Sequence, residues 1–211
     1  MKATHLLLLF FFIYLIECGY ILKQHKVPKF LPEGEFDKTK VLRTLLCLSK
    51  SNYTIEYVKK SEEGLLGYPT LILQDGTEIL HYRTAEKYLA KELGYYVGGT
   101  ELASIVDNID MIWDHYHAGQ TIQNGHNLWF FNRNFPSENV EEGLFRLLKT
   151  KCDSEFPFLA KSKTITLADI KYYFLVQAIG HENLTFRDQC TIDAYMNTES
   201  KLSACKKKES L

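Results

Sequence analysis

Residues 67–94 read GYPTLILQDGTEILHYRTAEKYLAKELG and contain the order of elements that decides the fold. Residues 71–73 and 78–80 are predicted to form two short strands, and the Asp75-Gly76 pair between them is typical of a tight hairpin turn. The sequence therefore predicts an antiparallel hairpin, followed by a helix with almost no linker.

The helix after the hairpin has one apolar face. Ala85, Tyr88, Leu89 and Leu93 recur every three or four residues, which is the helical period. Gly94 is placed to end the helix, because glycine readily adopts the left-handed conformation common at helix C-termini.

Two more strands and a helix are predicted before this unit. Residues 19–25 (GYILKQH) and 52–58 (NYTIEYV) are rich in β-forming residues, and residues 41–51 carry leucines at helical spacing. The charged, proline-containing segment 26–40 predicts a loop. The order β-α-β-loop-β-β-α indicates an α/β domain over residues 19–94.

The second half of the chain has a helical pattern throughout. Helices are predicted in residues 100–119, 143–152 and 164–180. We therefore expect an all-helical domain over residues 100–205.

The N-terminal segment predicts export. Residues 6–16 (LLLLFFFIYLI) form an apolar run after Lys2, which suits a signal-peptide core and is too short to cross a hydrocarbon layer of about 30 Å. We expect residues 1–18 to be cleaved, which leaves no transmembrane span and directs the mature chain to the secretory lumen or out of the cell. An uncleaved anchor or a buried strand is the alternative, because Ile16 and Cys18 replace the small residues usual at a cleavage site.

Two other features agree with export. Asn52 and Asn183 each begin an N-x-T sequon, so both are predicted glycosylation sites. Four cysteines follow the leader, and these allow three disulfide pairings; they are Cys47, Cys152, Cys190 and Cys205. Cys190 with Cys205 closes the shortest loop, and buried free thiols are the alternative.

The charge of the chain gives no sign of a nucleic-acid partner. The formal net charge is −1, and a nucleic-acid-binding domain usually carries a basic surface. The lysine run at residues 206–208 predicts a solvated C-terminal tail.

Three features resemble the glutathione transferase superfamily, most closely its sigma-like members such as the prostaglandin D synthases. Tyr68-Pro69-Thr70 stands where that fold has a cis-proline before its third strand. Residues 84–94 (TAEKYLAKELG) resemble the helix after the family's hairpin, and residues 166–170 (TLADI) resemble its TLAD-type box. The resemblance implies a thioredoxin-like α/β domain, an all-helical domain and a homodimer.

The TLADI box has a simple physical interpretation. Thr166 can cap a helix, and Asp169 three residues later can reach back to the N–H group of the cap residue. This is a folding signal and carries no chemistry.

The resemblance also implies a glutathione site. The backbone of Tyr68, exposed by the bend at Pro69, would pair with the cysteinyl part of glutathione. The family binds the γ-glutamyl end with Gln or Glu followed by Ser, and here His81 and Tyr82 stand at those positions. The helix N-terminus still attracts anions and Arg83 adds positive charge. The bulky ring of Tyr82 nevertheless predicts a degraded or retuned site.

The residue that would activate the thiol is the weakest part of the resemblance. The family places a Tyr or Ser hydroxyl just after the first strand, because the thiolate is the nucleophile. Here the strand ends in Gln24-His25. Thr39, His25 and Tyr20 are the candidate substitutes. A plain helix cap is the alternative for Thr39, and a solvated side chain is the alternative for His25.

A metal site is not expected. The most suggestive group is Asp114, His115, His117 and His126. Histidines two residues apart on a helix do not face the same way, so a polar helix end is favoured. A Cys-x-x-Cys redox pair is absent from the sequence.

Three functions stay open at this point. One is a secreted, glycosylated, dimeric binding or interaction protein with little conjugating activity. Another is an active glutathione transferase, or a sigma-like prostaglandin isomerase, that acts on a small hydrophobic ligand through a non-standard residue. The last is a structural role without a ligand, as in lens proteins of this fold.

Overall fold

A computed structural model describes residues 19–25, 37, 39–59, 68–96, 103, 106–107, 155–179 and 189–209. Several predictions concern residues outside these ranges. These are the cleaved leader, the helix at 143–152, the sequon at Asn183, Cys152 and the group from Asp114 to His126, together with nearly all of the helix at 100–119.

The described strands form one mixed sheet. They are β1 (Tyr20–Gln24), β2 (Tyr53–Tyr57), β3 (Thr70–Ile72) and β4 (Glu78–Leu80). Their order across the sheet is β2-β1-β3-β4, with β1 parallel to β2 and antiparallel to β3, and β3 antiparallel to β4. This is the thioredoxin-like arrangement that the sequence predicted.

One face of the sheet is covered. Leu22 of β1 pairs with Leu71 of β3, and both side chains are completely buried. At the start of β1, Gly19 lies so close to Asn52 that a Cβ atom would be 1.8 Å from the Asn52 carbonyl oxygen. Only glycine fits this position without a shift of the backbone.

The hairpin loop has three residues, one more than the shortest hairpin turns. Leu73 ends the pairing, because its N–H donates to the Thr77 carbonyl at 2.9 Å and its carbonyl accepts from the Gly76 N–H at 3.0 Å. Gly76 has a φ of 85°, which suits glycine, and Asp75 Oδ1 accepts from the Thr77 N–H at 2.8 Å. The predicted strand at residues 71–73 therefore runs one residue earlier, over Thr70–Ile72.

Two helices complete the α/β unit: α1 (Lys40–Leu48) and α2 (Tyr82–Glu92). Their inward faces are apolar, as the helical spacing predicted. In α1 the buried leucines are Leu42, Leu45 and Leu46, and in α2 the completely buried apolar residues are Ala85, Leu89 and Ala90. Gly94 lies just after α2 with a φ of 79°, which places a left-handed residue where the helix ends.

The remaining described elements are helical. A 3₁₀ turn (Leu159–Lys161) precedes α3 (Leu167–Ile179), and α4 is the long helix Gln189–Glu209. Tyr173 of α3 stacks on Tyr195 of α4 with ring centroids 5.2 Å apart. The prediction of a solvated tail at residues 206–208 was wrong in one respect, because these lysines belong to α4.

The chain forms two compact units with a boundary between Leu89 and Ala90, inside α2, and Asp37, before α1, also belongs to the second unit. The first unit contains the sheet and α1, and the second contains α3 and α4. Within the described ranges, no helix is both long and apolar enough to cross a membrane.

Candidate functional site

One edge of the sheet gathers most of the predicted site residues. Lys23 pairs with Thr70, and Thr70 pairs with Leu80, so these three residues form a row across β1, β3 and β4. The next step along each strand reaches Gln24, Pro69 and His81. The end of β1, the start of β3 and the start of α2 therefore meet at this edge.

The bend before β3 has the predicted form. The peptide bond between Tyr68 and Pro69 is cis. The Tyr68 ring meets the His25 ring edge to face, with centroids 5.0 Å apart and planes at 82°. His25, just after β1, and Tyr68, two residues before β3, are thus in direct contact, as the antiparallel register that pairs Lys23 with Thr70 allows.

His25 is held in one tautomer. Its Nδ1 lies 3.2 Å from the Val58 carbonyl oxygen, and a carbonyl only accepts hydrogen bonds, so Nδ1 carries the proton. In the neutral ring Nε2 is then an acceptor, and this atom is buried. His25 is therefore not the solvated side chain that the sequence suggested. It could donate from Nε2 to a thiolate only as a cation.

The start of α2 is built around His81 and Tyr82. The His81 carbonyl accepts from the Ala85 N–H at 3.1 Å, which makes His81 the cap residue of the helix. Its φ of 71° lies in the left-handed region, which costs a non-glycine residue about 1–3 kcal/mol. The His81 ring lies against the Tyr82 ring at 4.6 Å. Strained cap geometry of this kind is common at functional sites and is a reason to consider one here.

Tyr82 also contacts Arg83, the next residue in the helix. Its side chain is only 6% exposed. Its hydroxyl accepts a hydrogen bond from Arg83 Nε at 3.1 Å, and the Arg83 guanidinium carbon lies 5.6 Å from the ring centroid. The ring that replaces the family's small hydroxyl is thus packed into the protein, and the arginine side chain is aligned with it.

The other two candidates for thiol activation lie away from this group or inside the protein. Tyr20 begins β1 and pairs with Tyr53, which places it about 13 Å along the strand from Gln24. Thr39 is 5% exposed and occupies the cap position of α1, but its side chain makes no capping hydrogen bond. Thr39 is therefore a helix cap, as the alternative interpretation held, but it caps through its carbonyl, which accepts from the Arg43 N–H at 2.9 Å.

Gln24 is the last residue of β1 and lies at the same edge as the predicted site residues. It is 1% exposed, and its side-chain oxygen is buried with no hydrogen-bond partner. The signal was present in the sequence. In a strand that alternates inward and outward side chains, Gln24 stands two residues after Leu22, at a position where an apolar side chain is expected.

The TLADI box lies in the helical unit. Asp169 Oδ2 accepts from the Thr166 N–H at 2.8 Å and from the Thr166 hydroxyl at 2.6 Å. The predicted reach back to the N–H is present. The Thr166 hydroxyl donates to the aspartate instead of accepting from the helix.

Two observations concern covalent modification. Cys47 and Cys205 are each in a disulfide bond, so free thiols are the wrong interpretation for these two residues. Asn52 is exposed at the start of β2, where a glycan would have access to solvent.

Among the residues that the structure describes, no group of three or more potential ligand side chains could hold a metal ion.

Comparison with known proteins gives a match in structure only. No protein-family model and no curated protein matches the sequence. Among solved structures, a monomeric glutathione S-transferase of the hookworm Necator americanus matches with a TM-score of 0.63 at 15% identity, over 91% of this chain and 97% of that one. The protein has the glutathione transferase fold.

Two other nematode structures give the same result. A glutathione S-transferase of Caenorhabditis elegans has a TM-score of 0.63 at 16% identity, over 89% of this chain and 96% of that one. A Nu-class enzyme of Haemonchus contortus has a TM-score of 0.61 at 14% identity, over 90% and 96%. At such identities the likeness establishes the glutathione transferase fold, and the site must be argued from this chain's own residues.

Proposed function

We propose that this protein is a secreted, glycosylated binding protein with the glutathione transferase fold. In this proposal it holds glutathione or a related small anion at the described sheet edge and has little conjugating activity. The observation that carries the proposal is that the residues at the end of β1 offer no group suited to activating a thiol. Gln24 offers an amide that does not titrate, and the N–H of His25 is donated to Val58.

Conjugation needs a thiolate, and the described edge supplies little to form one. A free thiol has a pKa of about 8.5 and is mostly protonated at neutral pH. A neutral His25 offers only an acceptor nitrogen, which cannot donate a hydrogen bond to a thiolate. Thr39 is buried as well, and Tyr20 is at the far end of β1. None of the described candidates therefore presents a hydroxyl at this edge.

The residues at this edge support binding of an anion better than they support conjugation of glutathione. The N-terminus of an α-helix carries partial positive charge and backbone N–H donors. In α2 this end has Arg83 in its first turn. A carboxylate placed there gains both interactions.

Two features support export. Disulfides at Cys47 and Cys205 are typical of oxidising compartments. The sequon residue Asn52 is exposed. The proposed homodimer rests on the resemblance alone. It needs a direct test, because one similar structure is that of a monomeric glutathione S-transferase. Light scattering of the purified chain measures the oligomeric state directly.

The proposal is tested by two measurements on full-length protein purified from a secretory host. Calorimetric titration with reduced glutathione is expected to give weak but saturable binding. Turnover with a standard aromatic electrophile is expected to stay near the uncatalysed rate. Substantial turnover that requires glutathione would overturn the proposal and favour the alternative, an active transferase or isomerase. Replacing Thr39, His25 and Tyr20 together would then show whether any of them activates the thiol.

A further inference from the structure

The amide oxygen of Gln24 is an unpartnered acceptor inside the α/β unit. The backbone around it is well fixed, because the Gln24 carbonyl accepts from the Val58 N–H at 3.0 Å and Gln24 pairs with Tyr57 in the ladder. The side chain is nonetheless 1% exposed with no partner for its oxygen. Burying a carbonyl oxygen without a hydrogen bond opposes folding, so the protein gains no stability from this atom.

The sheet register places Gln24 at the candidate site. It is one residue beyond the Lys23–Thr70–Leu80 row and therefore level with Pro69 and His81. Neighbouring strands are about 4.8 Å apart, so its Cα lies roughly 5 Å from that of Pro69 and about 10 Å from that of His81. A ligand of a few residues in length spans that distance.

We propose that Gln24 is a ligand-binding residue whose side-chain oxygen accepts a hydrogen bond from an N–H or S–H group of a small thiol peptide. The same ligand places a carboxylate at the start of α2, where His81 and Arg83 lie. The inference rests on the proposed function, and it adds the group that recognises the uncharged, donor-bearing part of the ligand.

An amide at this place has a chemical consequence. Its oxygen only accepts hydrogen bonds, so it favours a protonated thiol or an amide N–H and gives a thiolate nothing. Contact through the Gln24 oxygen therefore favours a bound ligand that keeps its proton, whereas the amide nitrogen would be the group that donates to a thiolate.

The test replaces Gln24 by Met, which has a similar length and no acceptor oxygen. Affinity for reduced glutathione, measured by calorimetry on the full chain, is expected to fall about threefold to tenfold. The melting temperature without ligand is expected to stay the same or to rise, because the unpaired oxygen is gone. A purely structural residue would show the opposite change in melting temperature. Gln74→Met, in the exposed hairpin loop, is the matched control and should alter neither quantity.

The outcomes separate this inference from the proposed function. Unchanged affinity in Gln24→Met, or a lowered melting temperature together with lowered affinity, overturns the role of Gln24. Absence of glutathione binding in the wild type overturns both this inference and the proposed binding of glutathione, whereas the proposed low conjugating activity is tested separately by turnover. High turnover in the wild type overturns the proposed function. The change in glutathione affinity in Gln24→Met then still tests whether the Gln24 oxygen contacts the ligand. If the Met variant does not fold, Gln24→Asn, which withdraws the oxygen by one methylene, decides by the same change in affinity.

Discussion

Asp169 accepts hydrogen bonds from both the backbone N–H and the hydroxyl of Thr166, at 2.8 and 2.6 Å from one carboxylate oxygen. Its other oxygen accepts from the Leu159 N–H at 2.8 Å. This single buried side chain joins the start of α3 to the 3₁₀ turn before it. Ala160 in that turn adopts a left-handed φ of 60°, so the carboxylate also helps to hold a backbone conformation that alanine disfavours.

Removal of the Asp169 carboxylate should destabilise the helical unit strongly. Asp169→Ala leaves two N–H groups and one hydroxyl without an acceptor in a buried place, at about 1–3 kcal/mol each. We expect the free energy of unfolding in urea to fall by about 3 kcal/mol or more. Asp193→Ala, on an exposed position of α4, is the control and should change it by less than about 1 kcal/mol. Equal effects of the two substitutions would contradict the assignment.

The same carboxylate should make stability depend on pH. Burial raises the pKa of Asp169 from an ordinary 3.8 to about 7, and the hydrogen bonds from Thr166 and Leu159 oppose a further rise. Between these values the folded protein binds the proton more tightly than the unfolded chain does. The resulting stability is therefore complete below about pH 4 and is lost as the pH rises through about 7.

The measurement is the difference in melting temperature between wild type and Asp169→Asn across this pH range. Taking the difference removes the contributions of groups that titrate in both proteins. The wild type should lose stability relative to the variant from about pH 4 to pH 7, and the difference should level off above that. If the melting temperature of the wild type instead rises relative to that of the variant with increasing pH, the hydrogen bonds lower the pKa of Asp169 more than burial raises it.

The positive charge at the start of α2 should matter for anion binding. Arg83→Gln removes a charge from the first turn of the helix, and affinity for glutathione should fall about threefold to tenfold. Lys87→Gln, one turn later on the same helix, should lower it by less than about twofold. Titration at two salt concentrations tests the cause, because a charge interaction near the surface weakens with salt. Equal losses of affinity in both variants would show that the start of α2 is not part of the binding site.

The paired leucines of β1 and β3 should dominate the stability of the sheet. Leu22 is completely buried and Leu80 is 43% exposed. Leu22→Ala should lower the free energy of unfolding by about 2–5 kcal/mol, since it leaves a cavity in the core. Leu80→Ala should cost less than about 1 kcal/mol. Denaturant unfolding of both variants measures the contrast, and similar costs would mean that the face carrying Leu22 is not the packed one.

Several local elements of this fold can be predicted from the sequence. Asp75-Gly76 marks the hairpin and Gly94 marks the end of α2, because each supplies a backbone conformation that few other residues adopt. The β-forming residues at 19–25 predicted a strand, and β1 lies there. These signals involve neighbours in sequence, and the predicted elements that fall in the described ranges are present within a few residues.

The candidate site was less accessible to sequence reasoning because it depends on which strand ends meet. The left-handed backbone of His81 is unusual for a histidine and follows from the abrupt passage from β4 into α2. The tautomer of His25 is set by the carbonyl of Val58, 33 residues away. The alternation of β1 places Gln24 on the inward face, but its position level with Pro69 and His81 follows from strand pairing, which the sequence alone does not show.

Glycosylation at Asn52 offers a direct test of export. The Asn52 carbonyl accepts from the Tyr20 N–H at 2.9 Å, so its backbone is fixed beside β1 while the residue stays exposed. Thr54 is also exposed and belongs to the same sequon. In a secretory host, Thr54→Val should abolish the glycan at Asn52, whereas Thr54→Ser should keep it, because serine also completes the sequon.

The mass of the Asn52 peptide before and after glycosidase treatment distinguishes the two variants. Both should fold like the wild type, because Thr54 is on the solvent side of an edge strand and contributes little to the core. A wild-type protein that leaves the cell without a glycan at Asn52 would show that this sequon is not used. A chain that stays in the cytosol without any glycan would overturn the proposed export itself, and disulfides at Cys47 and Cys205 would then not be expected to persist in cells.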